Sequence, residues 1–390
     1  MDCVLHIGTE KTGTTMLQGW LYSNEEVLNR HGVALSHTLL VPNNRALAMC
    51  FQQKIDPFFY RLGLVDESKA RDFIDKTKRA FAEEVSSLQP KYQVCLITSE
   101  LLQSRLETEQ EVHALSAYLK EIFERVTIIC YFREQSQVRK SLWSSALKSS
   151  RSVPLESFAP NAGEDGYYWN YLRFADKWAA AFGKENLRFR LFDRSELAEG
   201  DLRKDFMKTA DLGVPLEELD YNVSSANESL NSVQARLFRA INIARPPLPP
   251  NVQDPTAIAL RAAVMRVDAI QNEPAIADPS QRNLFDRMVA SNKAFFAKYF
   301  GRPDTNFQPP SNQEPEERED LPLETVENII STLAASPGLL FAKRAEVTLL
   351  RRMLARLETT QAIDGREAAV LRGLIRRSRY TAKAIPPGAN

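Results

Sequence analysis

The feature that most constrains this chain lies within its first 21 residues. An apolar run, Cys3-Val4-Leu5-His6-Ile7, leads into Gly8-Thr9-Glu10-Lys11-Thr12-Gly13-Thr14-Thr15. An apolar helical pattern, Met16-Leu17-Gln18-Gly19-Trp20-Leu21, follows at once. The first run reads as a core strand. A strand, a Gly-bounded loop and a helix start together form an anion cradle. The loop N–H groups converge without partners, and the helix dipole adds partial positive charge. Gly8 and Gly13 permit backbone angles that a side chain would block. Thr14 and Thr15 add hydroxyl donors. Strand before, helix after and three clustered threonines argue against an ordinary turn carrying a surface lysine.

The rest of the chain supplies a frame for this loop. Strand-like runs at 3–7, 93–98, 125–132 and 187–192 alternate with helical patterns at 66–88, 109–125, 135–148 and 169–182. Such alternation predicts an α/β fold, a parallel sheet covered by helices on both faces. Ligands in these sheets bind at the carboxyl ends of the strands. The places to look are therefore just after Ile7, Thr98 and Phe132. A stiff connector, Arg245-Pro246-Pro247-Leu248-Pro249-Pro250, precedes further helical patterns at 257–271 and 281–299. The C-terminal region is predicted to be mostly helical.

The loop departs from the ATPase pattern G-x-x-x-x-G-K-[ST]. Gly8, Gly13 and Thr15 fit that spacing, but Thr14 stands where the lysine belongs, and the lysine is Lys11, inside the loop. Lys11 would lie beside the first phosphate, which suits a nucleotide whose leaving group departs from a single 5′-phosphate. A second anion element is Arg133, at the end of a core strand, with Ser141 about two helical turns on. An arginine and a hydroxyl can clamp a second phosphate with charge-assisted hydrogen bonds.

At these two elements the chain resembles the sulfotransferases that use 3′-phosphoadenosine 5′-phosphosulfate (PAPS), a P-loop-like family, and most of all its bacterial members. Residues 6–15 are similar to the family's 5′-phosphosulfate loop, and Arg133 and Ser141 to its 3′-phosphate site. Leu96-Ile97-Thr98-Ser99-Glu100, Tyr167-Tyr168-Trp169-Asn170-Tyr171, Ser291-Asn292-Lys293 and Tyr299-Phe300-Gly301-Arg302 extend the likeness to about residues 1–308. The resemblance implies that Lys11 stabilises the departing 5′-phosphate, that Thr12, Gly13, Thr14 and Thr15 hold it, and that Arg133 and Ser141 hold the 3′-phosphate. It implies no metal. It also implies a base for an acceptor hydroxyl, probed first at Glu100, after the strand 93–98, and second at His37, in a loop after the first helix. Two positions depart from the family pattern. Asn44 stands where similar proteins often carry His, and Glu10 where such loops often carry Pro.

Three functions follow as alternatives: a PAPS-dependent sulfotransferase acting on a carbohydrate or glycolipid hydroxyl, a P-loop kinase using ATP, and a non-catalytic nucleotide-binding relative. The expected organisation is a sulfotransferase-like domain over 1–308, with helical insertions at about 40–90 and 245–300. A linker at 309–322 and a basic helical extension at 323–390 complete it. Residues 341–390 carry 11 Lys/Arg against 4 Asp/Glu, which reads either as a solvated helical face or as a contact with an acidic partner or membrane surface. Across the whole chain 50 basic and 50 acidic residues cancel. That balance gives no global pull toward nucleic acid, so an anion site must be local. The four cysteines, Cys3, Cys50, Cys95 and Cys130, and the four histidines have no metal-ligand spacing. Buried free thiols and the lack of a secretory or membrane-spanning pattern predict a cytoplasmic protein.

Overall fold

The computed structural model describes residues 1–55, 57–64, 66–158, 166–222, 229–244, 254–276, 278, 280–304 and 307–310. The proline connector, nearly all of the 309–322 linker and the whole 323–390 extension lie outside the described residues.

Five strands run parallel: β1 (Asp2–His6), β2 (Val33–Leu35), β3 (Val94–Thr98), β4 (Val126–Phe132) and β5 (Leu187–Leu191). Their spatial order is β2-β3-β1-β4-β5. The strand that leads into the loop is thus the central one, flanked by β3 and β4. Four strands match the sequence reading to within a residue at each end. The three-residue β2 was not expected, because it is too short for alternation to register.

The helices, in chain order, are α1 (Thr14–Ser23), α2 (Glu25–Arg30), α3 (Arg45–Phe51), α4 (Pro57–Arg61), α5 (Glu67–Leu88), α6 (Leu101–Arg105), α7 (Glu109–Ile122), α8 (Gln135–Lys148), α9 (Tyr171–Phe182), α10 (Leu202–Ala210), α11 (Ser232–Ala244), α12 (Pro255–Val264) and α13 (Gln281–Phe300). Local chemistry sets several ends. The Asn170 side chain accepts from the Arg173 N–H and starts α9 there, two residues later than expected. A reciprocal Thr108–Glu111 box starts α7. Phe123 is extended and ends α7 ahead of β4. The helix expected over 257–271 stops at Val264, and Asp268–Ile270 forms a separate 3-10 turn after the extended Val267.

Two compact units result. Among the described residues, the first contains 1–139, 166–222 and 281–310, and the second 140–158, 229–244 and 254–280. In the first, alternate strand residues feed opposite faces of the sheet. Cys3, Leu5, Cys95, Ile97, Ile128, Cys130 and Phe132 pack with α7, α9 and α13. Val4, Leu96, Ile129 and Tyr131 pack with Leu17, Trp20 and Leu21 of α1 and Phe206 of α10. Burying a side chain such as Leu21 or Phe206 is worth roughly 1.5–3 kcal/mol. All four cysteines are buried and free, as expected. The second unit has its own core, which includes Leu237, Ile241, Leu260 and Val264. Among the described residues, no helix is long and apolar enough to cross a membrane.

Candidate functional site

The register of the sheet fixes the site. His6 of β1 pairs with Thr98 of β3 and with Ile129 of β4. The chain leaves the sheet just beyond these pairs, so the segments after β1, β3 and β4 emerge side by side. They carry Lys11, Glu100 and Arg133. Beyond β1 the loop stays bonded to β4: the Tyr131 N–H donates to Gly8 O at 2.6 Å, and the Thr9 N–H donates to Tyr131 O at 2.8 Å.

The loop has the backbone that its glycines allow. Gly8 and Gly13 have φ of 101° and 76°. A Cβ on Gly8 would lie 3.1 Å from the Glu100 Cα, and one on Gly13 2.8 Å from the Leu202 Cδ2. Lys11 also has a left-handed φ, 67°, a conformation rare for a residue with a side chain. Three bonds brace it. The Thr12 hydroxyl donates to Thr9 O at 2.6 Å. The Glu10 N–H donates to Gln103 Oε1 at 2.9 Å. The Arg133 guanidinium donates to Lys11 O at 3.2 Å.

Helix α1 starts on Gly13 with no side-chain cap and no acidic residue in its first turn. Its first N–H groups have no intrahelical acceptor. Thr12 and Thr14 are buried in the loop wall and Thr15 is exposed. By contrast, the start of α8 is already filled. The buried Glu134 carboxylate accepts from the Ser136 N–H at 2.8 Å, the Ser136 hydroxyl at 2.5 Å and the Gln137 N–H at 3.0 Å. The donor set at α1, with a lysine and an arginine beside it, has the chemistry of a phosphate site.

The charges at the loop act on one another. Burial pushes the Lys11 ammonium below the ordinary lysine range, Arg133 adds to that, and Glu10 and Glu100 oppose it. Burial likewise lowers Arg133. Burial raises Glu100 above the ordinary carboxylate range, against the hydrogen bond that Gln18 donates to its Oε2 at 2.6 Å. Glu100 precedes α6, which is tied down at its far end. The Tyr167 hydroxyl donates to Ser104 O at 2.8 Å, and the buried Lys177 ammonium donates to Leu106 O.

The other residues singled out in the sequence lie as follows. Ser141 is half-buried, in the part of α8 that belongs to the second unit. The His37 ring is exposed and bonds to Glu25 Oε1 at 2.5 Å and edges onto Tyr22. The His37 backbone N–H donates to Glu84 Oε1 at 2.7 Å. None of these partners belongs to the loop. Asn44 is fully buried and works as a structural bridge. Its Oδ1 accepts from the Thr98 N–H at 3.0 Å, and its Nδ2 donates to the Tyr22 hydroxyl at 3.2 Å and to Ser36 O at 3.4 Å. Glu10 accepts at Oε2 from the Tyr168 hydroxyl at 2.6 Å.

Residues to which sequence reasoning gave no role are Gln18, Gln103 and Tyr171. Gln18 and Gln103 are buried amides on α1 and α6. Tyr171 donates to Arg133 O at 2.5 Å. The signal for the two glutamines was a polar residue inside an apolar helical run, Leu17-Gln18 and Leu101-Leu102-Gln103.

No family model matches the chain. An uncharacterized protein of Archaeoglobus fulgidus is 29% identical over 115 residues. The match spans only 30% of this chain and 30% of that relative. Among solved structures, a sulfotransferase from Alicyclobacillus acidocaldarius is similar over 62% of this chain and 92% of its own, at 14% identity and a TM-score of 0.34.

Proposed function

We propose that this chain is an enzyme that moves a sulfuryl group from PAPS to an acceptor hydroxyl, of a carbohydrate or glycolipid. The observation that carries the reading is the meeting of Lys11, Glu100 and Arg133 at the ends of three neighbouring strands, around a helix start without a cap or an acidic first turn. The loop N–H groups and the Thr14 and Thr15 hydroxyls would hold the 5′-phosphate, and Arg133 the 3′-phosphate; the Thr12 hydroxyl instead donates to Thr9 O and braces the loop.

The chemistry divides among the chain's own residues. Glu100 takes the proton from the acceptor hydroxyl. The acceptor oxygen bonds to sulfur while the bond from sulfur to the bridging oxygen of the 5′-phosphate breaks. Lys11 stabilises the charge that builds on that oxygen. Burial favours the protonated form of Glu100, which makes its carboxylate a better proton acceptor than an exposed one. Gln18 fixes the orientation of that carboxylate.

The test is turnover of PAPS labelled in the sulfuryl group, with a panel of glycan and glycolipid acceptors. Lys11→Ala is expected to abolish transfer. Glu100→Gln is expected to lower it by at least 100-fold, the scale of general base catalysis, and His37→Ala to leave it within about twofold. Full turnover in Glu100→Gln together with loss in His37→Ala would reassign the base.

A further inference from the structure

Glu10 puts a carboxylate into a loop otherwise built to receive an anion. An acid there repels an incoming phosphate unless it is turned aside and held. The fold holds it at two points. Its N–H donates to Oε1 of the buried Gln103 on α6. Its Oε2 accepts from the hydroxyl of Tyr168 at 2.6 Å, and Tyr168 is itself 1% exposed. Tyr168 has little freedom to leave. It sits in a turn closed by the Trp169 and Asn170 N–H groups on Gly166 O. Its ring packs against Trp169 at 4.9 Å, and Trp169 O accepts from Gln135, which is bonded in turn to Asn292.

We infer that Glu10 is a resident counter-charge of the phosphate loop, and that Tyr168 positions its carboxylate away from the bound nucleotide and toward Lys11. This rests on the reading of the loop as a nucleotide site. The arrangement offsets two opposing demands. Lys11 is half-buried near Arg133, and both conditions disfavour its charge; Glu10 favours it. The same negative charge weakens nucleotide binding, and a loop that held its product too firmly would slow release. The Tyr168 hydroxyl sets how much of the Glu10 charge the nucleotide meets. Glu10 and Tyr168 are therefore positioning residues.

The experiment is calorimetric titration of 3′-phosphoadenosine 5′-phosphate into the full chain, in wild type, Glu10→Gln, Tyr168→Phe and the double variant. Melting curves check that each is folded. Glu10→Gln should bind roughly tenfold more tightly, the scale expected for removing one charge several ångströms from an anion. Tyr168→Phe should bind more weakly than wild type, and that loss should vanish in the Glu10→Gln background, since it acts through the carboxylate. Unchanged or weaker binding by Glu10→Gln would overturn the inference. So would an equal loss from Tyr168→Phe in both backgrounds, which would make Tyr168 a packing residue. Glu10→Gln is isosteric and half-exposed, so it tests the idea even where Tyr168→Phe unfolds. No binding by wild type would overturn the nucleotide reading itself, and the inference with it.

Discussion

Lys11 is a charge placed where its surroundings work against it. Burial and Arg133 both disfavour the ammonium, and Glu10 and Glu100 favour it. Under the proposed function Lys11 meets a developing negative charge, and partial burial makes each charge interaction there count for more. His6, one turn of chain earlier, shows the opposite solution. It is buried against Tyr131 and Phe206, bonded through Nδ1 to the Thr98 hydroxyl, and burial lowers its pKa to about 3. It stays neutral beneath the loop. Its contribution to stability is fully present above pH 6.5 and is lost as pH falls toward 3, because over that interval the unfolded chain binds a proton that the folded one does not. Between pH 6.5 and 5 that loss is about 2 kcal/mol. Denaturant unfolding of wild type and His6→Gln at pH 7 and pH 5 should show a smaller loss in the variant by about that amount. An equal loss in both would mean that His6 is not held neutral.

At the scale of elements, much of the candidate site was legible because it depends on local spacing. Strand β1, the loop glycines and the start of α1 are consecutive, and so are β3 with Glu100 and β4 with Arg133. Each catalytic candidate at a strand end could be found without knowing the sheet order. What joins them could not. That β3 and β4 flank β1 is a property of topology, and the bonds Gln18–Glu100, Gln103–Glu10 and Tyr168–Glu10 span 82 to 158 residues of chain. Asn44 shows the limit from the other side. Read along the sequence it marks a missing histidine. In the fold its amide satisfies the end of β3 and ties it to Ser36 and Tyr22. Asn44→Ala would strand a buried N–H on Thr98, and is expected to cost roughly 2–4 kcal/mol in denaturant unfolding. Asn44→His, which restores the familiar residue type, should destabilise as well, since an imidazole cannot match both ends of the amide. A neutral effect of either substitution would argue against the structural role.

At the scale of the whole molecule, the loop belongs to the α/β unit, and the second unit has a separate core. A ligand that binds only folded protein raises stability by mass action, about 2.7 kcal/mol at 100 times its dissociation constant. For a unit of this size that corresponds to a rise in melting temperature of roughly 5–10 °C. Under the proposed function, the loop from Gly8 to Thr15 is a site for a 3′,5′-bisphosphorylated adenosine and not for ATP with magnesium. The most direct measurement is the melting temperature of the full chain with 3′-phosphoadenosine 5′-phosphate in the presence of a chelator, set against ATP with magnesium, in wild type and Arg133→Ala. The expectation is a rise of that size with the bisphosphate, little with ATP, and a much reduced rise in Arg133→Ala. A larger rise with ATP and magnesium, or the same bisphosphate response in Arg133→Ala, would contradict it.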